Sequence, residues 1–196
     1  MNVSAYLKVD KAAFFDFVSR QAEGRFEYEE GRIVQQMTGG TRRHAVIAQR
    51  LVSLLERQLD AAAWLVTGHN RGVDTGPTVR YPDVVVEPAS GTWDDLSTAA
   101  PALLAEVLSP STHQLDMNVK PAEYMSLPSL KAYIVASQDA PQCWLWLRGL
   151  DGRFPELPQE AGRDGTIAVA ALGLAIPLAE VYRGLAPAAG RPPHQT

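Results

Sequence analysis

The sequence predicts a single α/β domain of α+β character, built around one sheet. Three observations point there. A strongly amphipathic stretch over residues 42–60 reads as one long helix, several short apolar runs read as strands, and turn signals join some of those runs into hairpins. A chain of 196 residues buries about 70% of the surface that its unfolded form exposes, enough for a core without covalent staples. The domain is expected over 1–183, followed by a loose Gly-, Pro- and Ala-rich tail over 184–196.

The elements follow in order. Asp10 is placed to cap a short helix, Lys11 to Arg20, with Phe14, Phe17 and Val18 on one face. RFEYE and RIVQQM flank Glu30-Gly31 and read as a hairpin. Thr41 is the expected N-cap of the long helix, whose Ile47, Leu51, Leu54, Leu55 and Leu59 share a stripe. Strands are expected over Trp64–Thr67, Tyr81–Glu87 and Leu103–Leu108, with a polar surface connection over 88–101. Pro110 breaks the chain, a helix follows from Pro121 to Leu127, and Pro128 closes it. KAYIVAS and QCWLWLR form a second hairpin. Trp144 and Trp146 fall on one of its faces; Cys143, Leu145 and Leu147 fall on the other.

Composition excludes several function classes. With 46% hydrophobic and 20% charged residues, the chain is not disordered over most of its length. One cysteine, Cys143, excludes an internal disulfide and a four-cysteine zinc site. Eighteen basic against 22 acidic residues give a net charge of -4, which argues against a polycation that coats nucleic acid but allows a local basic groove. The longest apolar stretch, Ile167–Ala179, is interrupted by Gly173 and Pro177 and falls short of the roughly 20 residues a spanning helix needs. No leader pattern is visible, so a reducing cytoplasm without membrane association is the expected setting. There is no G-x-S-x-G and no G-x-x-x-x-G-K-[ST], and Cys143 has no histidine near it in the sequence.

Two apolar runs carry a carboxylate: Asp83 in YPDVVVE and Glu106 in LLAEVLS. A charge in buried sheet is costly unless paired or bound to a metal. On neighbouring strands the two acids would repel one another, and a hard divalent cation such as Mg²⁺ or Mn²⁺ would relieve that. Each acid alone also fits a strand-end residue held by Arg80 or by backbone donors. Lys120, fourteen residues after Glu106, could stabilise charge developing on a phosphate beside such a pair, or be a solvated helix-start lysine. The GGTRRH segment offers Gly40, Arg42 and Arg43 as a weak phosphate contact at a helix N-terminus, and equally reads as a plain turn and cap.

In this order, RFEYEEGRIVQQMTGG, RHAVIAQRL, YPDVVVE, AEVLSPST and DMNVKPAEY resemble the Uma-two family of restriction endonucleases, a branch of the PD-(D/E)xK nuclease superfamily. The resemblance runs from about Phe26 to Ile134, and LGLAIPLAEVY resembles the family's ending. It implies a restriction-endonuclease-like core: a mixed central sheet flanked by helices, the site along one sheet edge. It also implies that Asp83 and Glu106 bind the metal and that Lys120 is the superfamily lysine, moved to the next helix. Position 108 is Leu, so the unshifted D/E-x-K pattern fails. Glu27 and His44 match further family positions, Glu27 as a metal ligand or supporting acceptor and His44 as a phosphate or proton-transfer group. Either also fits a local structural role. Asp116 and Tyr124 match as supports of Lys120. Arg32 stands where members often carry a second glutamate. Pro121 disfavours helical angles at Lys120, which places the lysine at an N-cap.

The leading expectation is therefore an Mg²⁺-dependent endonuclease acting on DNA, with a homodimer as a weak corollary of cutting two strands. The alternative is a nuclease-like scaffold that binds or regulates with little catalysis, Trp144 and Trp146 offering a partner surface unless they pack in the core.

Overall fold

The computed structural model describes residues 8–36, 40–109 and 114–186. Helix α1 (Lys11–Ser19) starts at Asp10, whose carboxylate accepts the Ala13 N–H at 2.8 Å. Strands β1 (Arg25–Glu29) and β2 (Arg32–Gln36) form the expected hairpin. Its turn needs positive φ at two successive residues, and Glu30 (48°) and Gly31 (95°) supply them. Alternation along β1 sends Phe26 and Tyr28 toward α1, where they meet Phe17 and Phe14 at ring separations of 5.0 and 5.6 Å. Glu27 is left on the opposite, buried face.

Helix α2 (Arg42–Gln58) is capped by Thr41, which accepts the His44 N–H at 3.1 Å. After it come β3 (Trp64–Gly68), β4 (Gly72–Asp74), β5 (Thr78–Arg80), β6 (Val84–Pro88), β7 (Ser97–Thr98) and β8 (Leu103–Leu108). Helix α3 (Lys120–Met125) precedes β9 (Ala132–Ser137), β10 (Cys143–Leu147) and β11 (Gln159–Ala161). The chain then folds β12 (Thr166–Val169) onto β13 (Leu174–Pro177) and ends its described part with α4 (Leu178–Val181). The central sheet has the order β11-β10-β9-β8-β6-β3. It is mixed, since β8 and β9 run parallel and the other pairs antiparallel.

A second sheet, β2-β1-β5-β4-β7, was not expected. Its members β4 and β5 are three residues each, too short to show a period of two in the sequence. The apolar stretch over 167–179 forms the β12–β13 hairpin, not a spanning helix. Among the described residues no helix is long and apolar enough to cross a membrane. The predicted tail falls mostly outside the described residues, as does Gly39 of the glycine pair.

Two apolar layers sandwich the central sheet. On one face Ile47, Leu51, Leu54 and Leu55 of α2 pack on Val84, Val86, Leu103, Ala105, Val107 and Ile134. Each such side chain contributes about 1.5–3 kcal/mol on burial. On the other face Tyr124 and Leu127 pack on Val85, Leu104, Leu108, Tyr133 and Val135. Trp144 and Trp146 belong to this second layer and Cys143 and Leu145 to the first. The tryptophans are buried, which removes them as a partner surface.

Candidate active site

The pleat of β8 decides where its acid points. Leu103, Ala105 and Val107 face α2, whereas Leu104 and Leu108 face α3. Glu106 follows the second register and therefore meets α3. Its Oε1 accepts from Lys120 Nζ at 2.7 Å and from the Tyr124 hydroxyl at 3.3 Å.

Asp83 lies one residue before β6 and not within a strand as expected. The β6–β8 ladder ends at Val84 opposite Ala105. Beyond that end the Asp83 side chain takes over, its Oδ2 accepting the Val107 N–H at 2.8 Å. Of the two local partners expected for it, the backbone donor is present and Arg80 is not, since Arg80 donates to Glu27, Glu29 and Glu123. The same oxygen stands 3.1 Å from Nε2 of His44, in the first turn of α2. A Cβ at residue 40 would lie 3.1 Å from His44 Nδ1, so glycine there leaves room for the imidazole. Thr41 also donates to Gln138 at 2.8 Å, tying this helix start to the end of β9.

Lys120 is not at a helix N-cap. Its φ and ψ of -58° and -36° are helical, and it continues a π-helical turn, Leu115–Val119, into α3. The Lys120 N–H reaches five residues back, to the Leu115 carbonyl. Widening the turn this way relieves the clash that the Pro121 ring would otherwise make with the carbonyl four residues earlier. It leaves the Asp116 carbonyl without an intrahelical donor, because Pro121 has no N–H. The Tyr133 hydroxyl supplies that donor at 2.9 Å. The π turn also sets Asp116 Oδ1 2.8 Å from Lys120 Nζ. This close ion pair helps to hold the Lys120 ammonium charged.

Glu27 reaches the same region from β1. Its carboxylate accepts from Arg80 Nη1 at 2.7 Å and Gln36 Nε2 at 2.9 Å. It acts on Lys120 through its charge rather than through a hydrogen bond. Asp83, Glu106, Lys120, Glu27 and His44, from five separate segments, line one cavity of about 480 Å³, as does Gly40. Arg42 and Arg43 are not among its lining residues; Arg25 and His69 are. Sequence reasoning passed over Gln36, Arg25 and Tyr133 because their roles depend on strand register and on the proline-opened carbonyl.

Charge in this cavity is unevenly compensated. Burial, with Asp116 and Asp83 nearby, pushes Glu106 up to about 8 although Lys120 opposes this. Burial works against charge on Lys120, yet Glu106 and Asp116 hold its ammonium above the ordinary lysine value. Burial likewise disfavours charge on Asp83, but the His44 hydrogen bond, the imidazole's charge and the Val107 N–H keep its carboxyl below the usual range. The hydrogen bond to Asp83 raises His44 against the opposing effect of burial. Burial raises Tyr124 well above an ordinary phenol, so it acts as a donor.

These residues suit a hard divalent cation in one respect: burial and the neighbouring charges of Asp116 and Asp83 disfavour an ionised Glu106, and a bound cation would relieve that. Among the described residues no three His, Cys, Asp or Glu side chains converge as a closed metal cage. A Mg²⁺-like ion needs none, since it commonly takes one or two carboxylates and completes its shell with water and phosphate.

Comparison with known proteins bears on the family and the fold. The family model for Uma2, described as "Putative restriction endonuclease", matches residues 12–179. The chain is 30% identical to the uncharacterized Synechocystis protein slr1290 over 183 residues, spanning 91% of this chain and 94% of that protein. It is 28% identical to a second Synechocystis protein, sll1609, over 143 residues, or 70% and 80% of the two chains. A solved structure from Anabaena variabilis, described as "a putative nuclease belonging to DUF820", superposes with a TM-score of 0.67 at 18% identity. It covers 86% of this chain and 96% of that one. At that identity the likeness is one of fold.

Proposed function

Starting from the fact that the chain belongs to the Uma2 family, we propose that it is a metal-dependent endonuclease that hydrolyses DNA phosphodiesters. One observation carries the reading: Asp83, Glu106 and Lys120, far apart in sequence, line a single cavity, with the ammonium 2.7 Å from the Glu106 carboxylate. Asp83 and Glu106 would hold Mg²⁺ or Mn²⁺. When bound, that ion supplies Lewis-acid polarisation of the phosphate ester and makes water a better nucleophile near neutral pH.

The chain's own residues do the rest. Lys120 presents a fixed positive charge where negative charge builds on the phosphate during in-line attack, and its low exposure strengthens that interaction. His44 orients the Asp83 carboxylate through its Nε2 and can hold a proton there. Glu27 contributes negative potential that keeps Lys120 charged. Tyr124 and Asp116 fix the Glu106–Lys120 pair. Gly40 opens the cavity beside His44, and Arg42 and Arg43 at the α2 start are left as contacts for flanking phosphates.

The test is cleavage of plasmid and single-stranded DNA by purified protein with and without Mg²⁺ or Mn²⁺. Activity should require the ion and disappear in Asp83→Ala and Lys120→Ala that retain the wild-type circular dichroism. Undiminished cleavage by either folded variant overturns the assignment. A second reading, a nuclease-like scaffold with little catalysis, is favoured by the engagement of Asp83 and Glu106 with His44, Val107 and Lys120. Mn²⁺ titration calorimetry separates the two, because the scaffold predicts no heat of binding. Paired cuts on two strands would suit a two-fold dimer, which sedimentation velocity reads directly.

A further inference from the structure

Beyond the acids and lysine of the cavity lies a second buried charge cluster. Its centre is Arg80 at the end of β5, 2% exposed. The guanidinium donates from Nη1 to Glu27 at 2.7 Å and to Glu29 at 2.5 Å. From Nε and Nη2 it donates to both carboxylate oxygens of Glu123, at 2.8 Å each. Thr78, two residues earlier on the same strand, donates to Glu123 at 3.1 Å. Glu123 is on α3, one turn after Lys120. A residue three positions along a helix shares its side, so what grips Glu123 also sets the rotation and depth of Lys120.

The cluster is the polar tie between the second sheet and the helix that carries the lysine. Arginine suits this post because a planar fork engages one carboxylate with two parallel bonds and still reaches others with Nη1. A lysine would offer a single ammonium and could not reproduce the fork. Of the three acids around Arg80, Glu27 also acts through its charge to keep Lys120 protonated.

We propose that Arg80 is a positioning residue of this site: by gripping Glu27 on β1 and Glu123 on α3, it fixes Lys120 at Glu106. The inference rests on Lys120 serving as the charge-stabilising group, and it adds a residue that acts through another. Arg80 is not in the cavity lining, so it acts on the site through Glu27 and Glu123.

The experiment uses full-length protein in the Arg80→Lys and Glu123→Gln variants. Arg80→Lys tests the fork; Glu123→Gln keeps Arg80 paired with Glu27 and Glu29 and carries the test if Arg80→Lys does not fold. Acylation of Lys120 by acetic anhydride is followed by peptide mass mapping. Alkylation of the buried Cys143, in the opposite apolar layer, reports global opening. Lys120 should be acylated several-fold faster while Cys143 labelling stays unchanged. On DNA with Mg²⁺, kcat should fall by about 10- to 100-fold with KM unchanged within about twofold. Unchanged Lys120 labelling, labelling of Lys120 and Cys143 in parallel, or unchanged kcat in an active enzyme each overturns the proposal. If the wild-type protein cleaves no DNA, the nuclease reading fails, and the labelling arm alone decides the role of Arg80.

Discussion

Replacing Tyr133 by phenylalanine probes the turn that presents Lys120. The hydroxyl is fully buried and donates at 2.9 Å to the Asp116 carbonyl. That carbonyl has no other donor in its helix, since the Lys120 N–H is committed to Leu115 and Pro121 has none. The ring, which packs on Tyr124 and Trp146, stays in Tyr133→Phe. What is lost is one hydrogen bond, and what remains is a buried carbonyl without a partner. Such a loss costs about 1–3 kcal/mol. In a chain of this length that lowers Tm by about 2–12 °C. Urea denaturation and calorimetry measure both quantities. The cause is isolated by a double-mutant cycle with Pro121→Ala, which restores an N–H at the position facing the orphaned carbonyl. Tyr133→Phe should cost about 1 kcal/mol less in the Pro121→Ala background than alone. Equal costs in the two backgrounds would refute the argument that the proline created the vacancy that the tyrosine fills.

Three further outcomes follow from the structure. His44 has a raised folded value through its bond to Asp83, so its contribution to stability is fully present below the ordinary histidine value near 6.5. It is lost as pH rises through the raised value. His44→Gln should therefore flatten the pH dependence of stability on the alkaline side of 6.5, and a variant with wild-type slope there would contradict the pair. Burial pushes the Cys143 thiol up to about 12, so it should resist alkylation at pH 8 until denaturant opens the first apolar layer. Rapid native-state labelling would show that layer to be open. Thr41→Ala removes the cap of α2 and the tie to Gln138, and should cost about 1–2 kcal/mol by urea denaturation; no measurable loss would show the cap to be dispensable.

Most elements with a strong local signature were legible. The long α2 stripe, the Glu30-Gly31 turn and the two-faced pattern of β10 are period and turn-chemistry signals, and all three fold as the sequence indicates. The candidate acids were legible too, because a carboxylate in an apolar run stands out wherever the run folds. What stayed hidden was short or depended on partners. Strands β4 and β5 carry three residues each. Arg80 looked like a neighbour for Asp83, yet β5 pairs with β1 and β4, which turns its guanidinium toward Glu27 and Glu123. The π turn was hidden because Pro121 forbids a regular helix locally, and only packing against Tyr133 makes the wider turn affordable.

By itself the amino-acid sequence determined which side chains carry charge into the interior and on which face of each long element its apolar residues lie. Periodicity and composition are local properties, readable without knowing what packs where. Only the tertiary structure decided that Asp83 takes up a backbone donor at the end of a ladder, that Lys120 sits inside a continuous helix, and that Arg80 binds that helix to the second sheet. These are contacts between segments separated by 14 to 53 residues. Their geometry comes from strand register and helix rotation, which no window of sequence contains.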